Sequence, residues 1–154
     1  MIVSLVRHAK ASSRRSWSGA DADRPLDATG RVQATTIADL FAGRPVKRVL
    51  SSPAQRCQQS VGQLAHQLGR SIELHPALAE GADPASALRL IAGLVAAGED
   101  SVLCSHGDII PEVIDRLAHD GVRIDGIRAC AKGSTWDLEA DQGVVVSARY
   151  LPLP

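Results

Sequence analysis

What most constrains the fold of this chain is an alternation. Short apolar runs of strand length, at 2–6, 46–50, 71–74 and 101–104, take turns with longer stretches whose apolar residues recur at helical spacing. The spacing predicts helices over 29–42, 53–68, 83–97 and 108–117. Thr29, Ser52 and Asp83 fit helix N-caps, with Pro53 and Pro84 at first helical positions. Gly43, Gly69 and Gly98 stop three of the helices. In the first helix Val32, Ile37, Leu40 and Phe41 are spaced for one buried face. Residues 133–139 and 144–149 then read as two strands joined by an Asp141-Gln142-Gly143 turn. Alternating strands and helices imply an α/β fold, a mostly parallel sheet with helices on both faces.

Composition narrows the function classes. The chain has 154 residues, so a single domain over 1–154 is expected, and a 45% hydrophobic content is enough for a sizeable core. Lysines and arginines number 17 against 17 acidic residues, which argues against a general nucleic-acid or acidic-lipid binder. Aromatics are only 3%, too few to stack bases. Three cysteines, Cys57, Cys104 and Cys130, have no repeated spacing, so a reducing, cytoplasmic setting is expected. No window approaches the roughly 18 apolar residues of a membrane span.

In open α/β sheets, ligand sites lie beyond the carboxyl ends of the strands. There the chain carries Arg7-His8, Ser51-Ser52-Pro53 with Arg56 just beyond, Glu80, and Ser105-His106. Each alone reads as ordinary surface polarity; together, two histidines, two arginines and a carboxylate on one sheet edge suit phosphoryl transfer. Guanidiniums and a helix N-terminus at Ser52 would hold a phosphate dianion. One neutral imidazole could attack phosphorus and the second could donate to its oxygens. A carboxylic acid could protonate the leaving atom. The polar loop over 10–28 adds Lys10, Arg14 and Arg15 as candidates for contacting an acidic partner or further phosphates.

These segments carry a resemblance. Leu5-Val6-Arg7-His8-Ala9-Lys10-Ala11 resembles the first signature of the histidine phosphatase superfamily. The stretch from Ser51 to Ser60 is similar to its second-arginine segment, and Ser105-His106-Gly107-Asp108 to its second-histidine turn. Arg24 to Ala34 is similar to the segment that begins its first helix. The resemblance implies a three-layer α/β/α sandwich of the phosphoglycerate mutase-like type, without a cap insertion. It makes His8 the nucleophile and Arg7, Arg56 and His106 the phosphate pocket, with no metal and no cofactor. Among branches, the SixA-type phosphohistidine phosphatases are the most similar. Ala9 stands where the first signature usually has Gly, and Arg14 where mutase-like members have Asn, which speaks against a sugar-phosphate mutase.

Glu80, in Ala77-Leu78-Ala79-Glu80-Gly81, resembles the family's acid-bearing segment, although SixA-type members commonly lack that acid. A phosphoramidate N–P bond is more labile than an ester and needs acid catalysis less. The expected substrate is therefore a phosphohistidine on a protein. The alternatives are a small phosphorylated metabolite such as a nucleotide, and a non-catalytic phosphate-binding module. Other signals are poor. Neither Cys57 nor Cys104 has an arginine six residues on, and Ala131-Lys132-Gly133-Ser134-Thr135 lacks the glycine spacing of a P-loop and reads as a turn into a strand. His66, His75 and His119 read as surface residues.

Overall fold

The computed structural model describes residues 1–154. Its strands are β1 (Ile2–Arg7), β2 (Arg48–Ser51), β3 (Ile72–Leu74), β4 (Ser101–Ser105), β5 (Arg123–Asp125), β6 (Thr135–Asp141) and β7 (Val144–Leu151). The helices are α1 (Ala28–Leu40), α2 (Gln55–Leu68), α3 (Pro84–Ala97) and α4 (Ile109–His119). All seven strands join one sheet in the order β3-β2-β4-β1-β6-β7-β5. Only β6 runs against the others: it pairs antiparallel with β1 and β7, while β1, β2, β3, β4 and the β5–β7 pair are parallel.

Alternation along each strand splits the core in two, because successive side chains point to opposite faces. Val3 and Leu5 of β1, with Leu50 and Leu103, pack under α3 and α4. Val6, Val49, Val102 and Cys104 pack under α1 and α2. Two helices on each face make the expected three layers.

This arrangement also positions the site. From β1 the chain crosses through α1 to β2 on one side, whereas from β4 it crosses through α4 to β5 at the opposite edge. Since β1 and β4 are neighbours, their carboxyl ends flank a switch point, where such sheets open a crevice.

Several local expectations are corrected. Asp27, not Thr29, caps α1, its Oδ1 accepting from Gly30 N at 2.7 Å. Val32 is 67% exposed; the inward stripe of α1 is instead Ala34, Ile37, Ala38 and Phe41. Ser52 does not cap α2, which begins at Gln55 behind Ala54. The short strand β5 lies in a stretch the hydrophobic pattern leaves unassigned, and it is three residues long at the sheet edge. The hairpin β6–β7 turns through Gln142 and Gly143, both with positive φ (47° and 81°), as a tight two-residue turn requires.

Candidate active site

His8 follows β1 directly and is almost fully buried, at 6% exposure. Its backbone N–H donates to Ser105 O at 3.0 Å, tying it to the end of β4. Its ring Nδ1 lies 2.8 Å from the Ala9 carbonyl. A carbonyl can only accept, so Nδ1 carries the proton and Nε2 keeps its lone pair. Burial is the main reason the His8 pKa falls from 6.5 to about 3; the charges of His106, Arg56 and Lys132 lower it further, against the bond to Ala9. The imidazole is therefore neutral at ordinary pH, as a nitrogen nucleophile must be.

His106 follows β4 and is 1% exposed, its ring 5.3 Å from that of His8 at a 64° interplanar angle. Its Nε2 lies 2.8 Å from Ser52 Oγ and 3.5 Å from the buried thiol of Cys57. Ser52 Oγ accepts from Ala54 N–H, and its own proton can at the same time be donated to His106 Nε2. His106 Nδ1 then bears a proton, and that atom is buried without a partner.

The arginines repeat the pattern. Arg56, in the first turn of α2, is 1% exposed; its Nη1 donates to Asp21 O at 2.9 Å and its Nη2 to Glu80 at 3.1 Å. Arg7 Nη1 donates to the Cys130 carbonyl. The guanidinium lies against Gly107, where a Cβ would come within 2.7 Å of Arg7 Cζ and would have to displace it. The Nε atoms of both arginines are buried and unpartnered. Buried donors are nearly always satisfied. Here three of the four buried side-chain atoms left without a partner belong to Arg7, Arg56 and His106. Unpaired donors in the same cluster as a neutral imidazole suit an oxyanion.

A cleft of about 370 Å³ opens above Arg7 and His8, lined also by Arg14, Arg24, Glu80 and Lys132 together with small and polar neighbours; Arg56 and His106 lie outside its lining. Its one apolar lining residue is Ala11. Glu80 accepts from both Arg56 and Arg14, the latter at 3.2 Å. Lys10 is not in the lining: its ammonium lies 3.6 Å from Asp27 and its backbone N–H donates to Gln33. Arg15 also stays outside.

The motif glutamine and serine positions hold the loop that walls the cleft. Leu26 N–H donates to Gln59, and Ser60 Oγ accepts from Ala9 N–H. The roles of three residues of the site are marked in the sequence only faintly or not at all. Ser52 passes for a cap, Arg24 for a loop residue and Lys132 for a turn residue. The Ser-Ser-Pro run after β2 was the available signal for Ser52.

Paired histidines on adjacent strand ends, with Arg7 closing β1 and Arg56 in the first turn of α2, define a phosphoglycerate mutase-like α/β protein. The model of the histidine phosphatase superfamily (branch 1) matches residues 3–82, and the chain belongs to that family. It is 30% identical over 155 residues to the 8-oxo-(d)GTP phosphatase of Mycolicibacterium smegmatis, across 99% of this chain and 48% of that protein. The chain thus spans about half the length of this curated relative. In structure it is similar to the protein histidine phosphatase SixA solved with tungstate, with a TM-score of 0.77 at 22% identity over 98% of this chain and 94% of that one. It is also similar to a SixA-designated protein of Agrobacterium tumefaciens, with a TM-score of 0.72 at 25% identity over 90% of each chain. No helix is long and apolar enough to cross a membrane.

Proposed function

We propose that this chain is a phosphatase working through a covalent intermediate on His8, with a phosphohistidine side chain of a protein as its preferred substrate. The observation carrying the reading is the fixed tautomer of His8: Nδ1 is held by Ala9, and the ring lies 5.3 Å from that of His106, which with Arg7 and Arg56 has a buried nitrogen left without a partner. In the first step Nε2 attacks phosphorus in line, the N–P bond forms and the bond to the leaving atom breaks. Charge arriving on the imidazole is balanced through Nδ1–H and the Ala9 carbonyl. Arg7, Arg56 and His106 Nδ1–H hold the phosphoryl oxygens. Water then attacks phosphorus, inorganic phosphate leaves and His8 is restored.

The substrate preference rests on two features. Glu80 is engaged with two arginines, so it is committed to them rather than to protonating an alkoxide. An imidazole leaving group has less need of that proton than an ester oxygen. The cleft also has Ala11 as its one apolar residue among charged and polar ones, a lining that suits a phosphoryl group more than an apolar ligand. The similarity to SixA is in keeping with this choice. A second reading, hydrolysis of a nucleotide or other small phosphate, is favoured by the relative named for 8-oxo-(d)GTP.

Acid quenching during turnover is expected to trap an acid-labile, base-stable phosphoenzyme that is absent in His8→Ala. No turnover and no adduct on any member of a panel of phosphohistidine peptide, nucleotides and sugar phosphates would overturn the reading. Glu80→Gln is expected to leave phosphohistidine turnover within about twofold. A large loss on alkyl phosphates alone would assign Glu80 as an acid and favour the second reading.

A further inference from the structure

Two cations of the cleft are not neutralised by any carboxylate. Arg14 pairs with Glu80 at 3.2 Å, Arg24 with Asp21 at 3.1 Å, and Arg56 with both acids at 3.1–3.2 Å. The other acid of the lining, Asp108, accepts from Gly81 N–H at 2.8 Å. Arg7 and Lys132 have no carboxylate within the 4.0 Å of an ion pair.

Lys132 is placed by backbone. It lies in a tight turn closed by Ser134 N–H donating to Ala131 O at 3.0 Å. The next residue, Gly133, donates its N–H to the carbonyls of Arg7 (3.1 Å) and His8 (3.3 Å), and Arg7 N–H donates to Ser134 O at 3.0 Å. The turn is thus joined to the two residues at the end of β1 that form the floor of the site. Arg7 also reaches the same segment through the Cys130 carbonyl. Partial desolvation, followed by the charges of Arg7, Arg24, Arg56 and Arg14, lowers the Lys132 pKa. An ammonium held among like charges is unfavourable in the empty cleft, and an anion between them relieves it.

We infer that Lys132 is a substrate-binding residue whose ammonium, together with the Arg7 guanidinium, balances the two negative charges of a terminal phosphoryl group. This rests on the phosphatase reading for its substrate, and it adds the charge state that the cleft selects. A phosphomonoester or phosphoramidate dianion matches both cations. A phosphodiester, with one charge, leaves one of them unmatched. The compact ammonium suits a single non-bridging oxygen, while the forked guanidinium of Arg7 suits two.

The test measures binding of inorganic phosphate by calorimetry, and kcat and KM on p-nitrophenyl phosphate, for the wild type, Lys132→Met and Lys132→Arg. Lys132→Met is expected to weaken phosphate binding and raise KM by about tenfold, with kcat within about twofold. Lys132→Arg should recover most of the affinity, and the melting temperature should not fall in either variant. Wild-type phosphate affinity in Lys132→Met would overturn the inference, as would a fall in kcat and melting temperature without a change in KM. If the wild type binds phosphate in a Lys132-dependent way but turns nothing over, the phosphatase reading fails and the binding role stands. If the wild type does not bind phosphate, both fail.

Discussion

Burying His8 makes the stability of the fold depend on pH in a way that one substitution isolates. In the folded protein the imidazole takes up a proton only near pH 3; in the unfolded chain it does so near 6.5. Above 6.5 neither state binds that proton, and His8 contributes no pH dependence. Between 6.5 and 3 the unfolded state binds it and the folded state does not, so stability falls as pH falls. Below 3 both states bind it and the loss is complete. Each pKa unit corresponds to about 1.4 kcal/mol, so at pH 5 the loss from His8 alone is about 2 kcal/mol. Glutamine at position 8 cannot take up a proton. Urea unfolding of the wild type and His8→Gln at pH 7 and pH 5 isolates the effect, since all other titrating groups are common to both. The wild type is expected to lose about 2 kcal/mol more than the variant between these pH values. Equal losses would refute the argument that burial keeps the ring neutral.

Two other substitutions probe the floor of the site. Ser52→Ala removes the hydroxyl that bonds His106 Nε2, and is expected to lower kcat about tenfold, on the scale of one lost hydrogen bond, with little change in the melting temperature. Single-turnover kinetics check it, and an unchanged rate would show that the reaction does not need this bond. Gly107→Ala puts a Cβ 2.7 Å from Arg7 Cζ and should displace the guanidinium, weakening inorganic phosphate at least tenfold in a calorimetric titration. Full affinity in that variant would show that Arg7 does not need its place against Gly107.

The parts of this molecule legible in its sequence are those where one local pattern decides. The run from Ile2 to Val6 is buried on both faces and can be little else but a central strand. Arg7, His8, Arg56 and His106 stand out as candidates because the ends of such strands are few. Val32 misled because α1 packs on small residues: Ala34 and Ala38 face inward, and a reading that weighs large apolar side chains passes over them. Ser52 misled because Ser before Pro fits a cap, and nothing local shows the imidazole 2.8 Å from its hydroxyl. Lys132 was hidden for the same reason. It gains meaning only through the bonds of Gly133 to residues at the other end of the chain. Glu80 was visible as a candidate, but its two arginine partners, which bear on its use as an acid, come from separate segments.

The crevice between β1 and β4 divides labour in a way that bears on how such a protein can diversify. His8 and His106 sit at the ends of the two central strands, next to the most buried part of the sheet, and cannot move without the whole fold moving. Arg14, Glu80 and Lys132 come from three connecting segments around the rim. Loops of that kind tolerate replacement far better than core strands do. A lineage built on this plan can therefore exchange what its cleft admits segment by segment while inheriting the paired histidines unchanged.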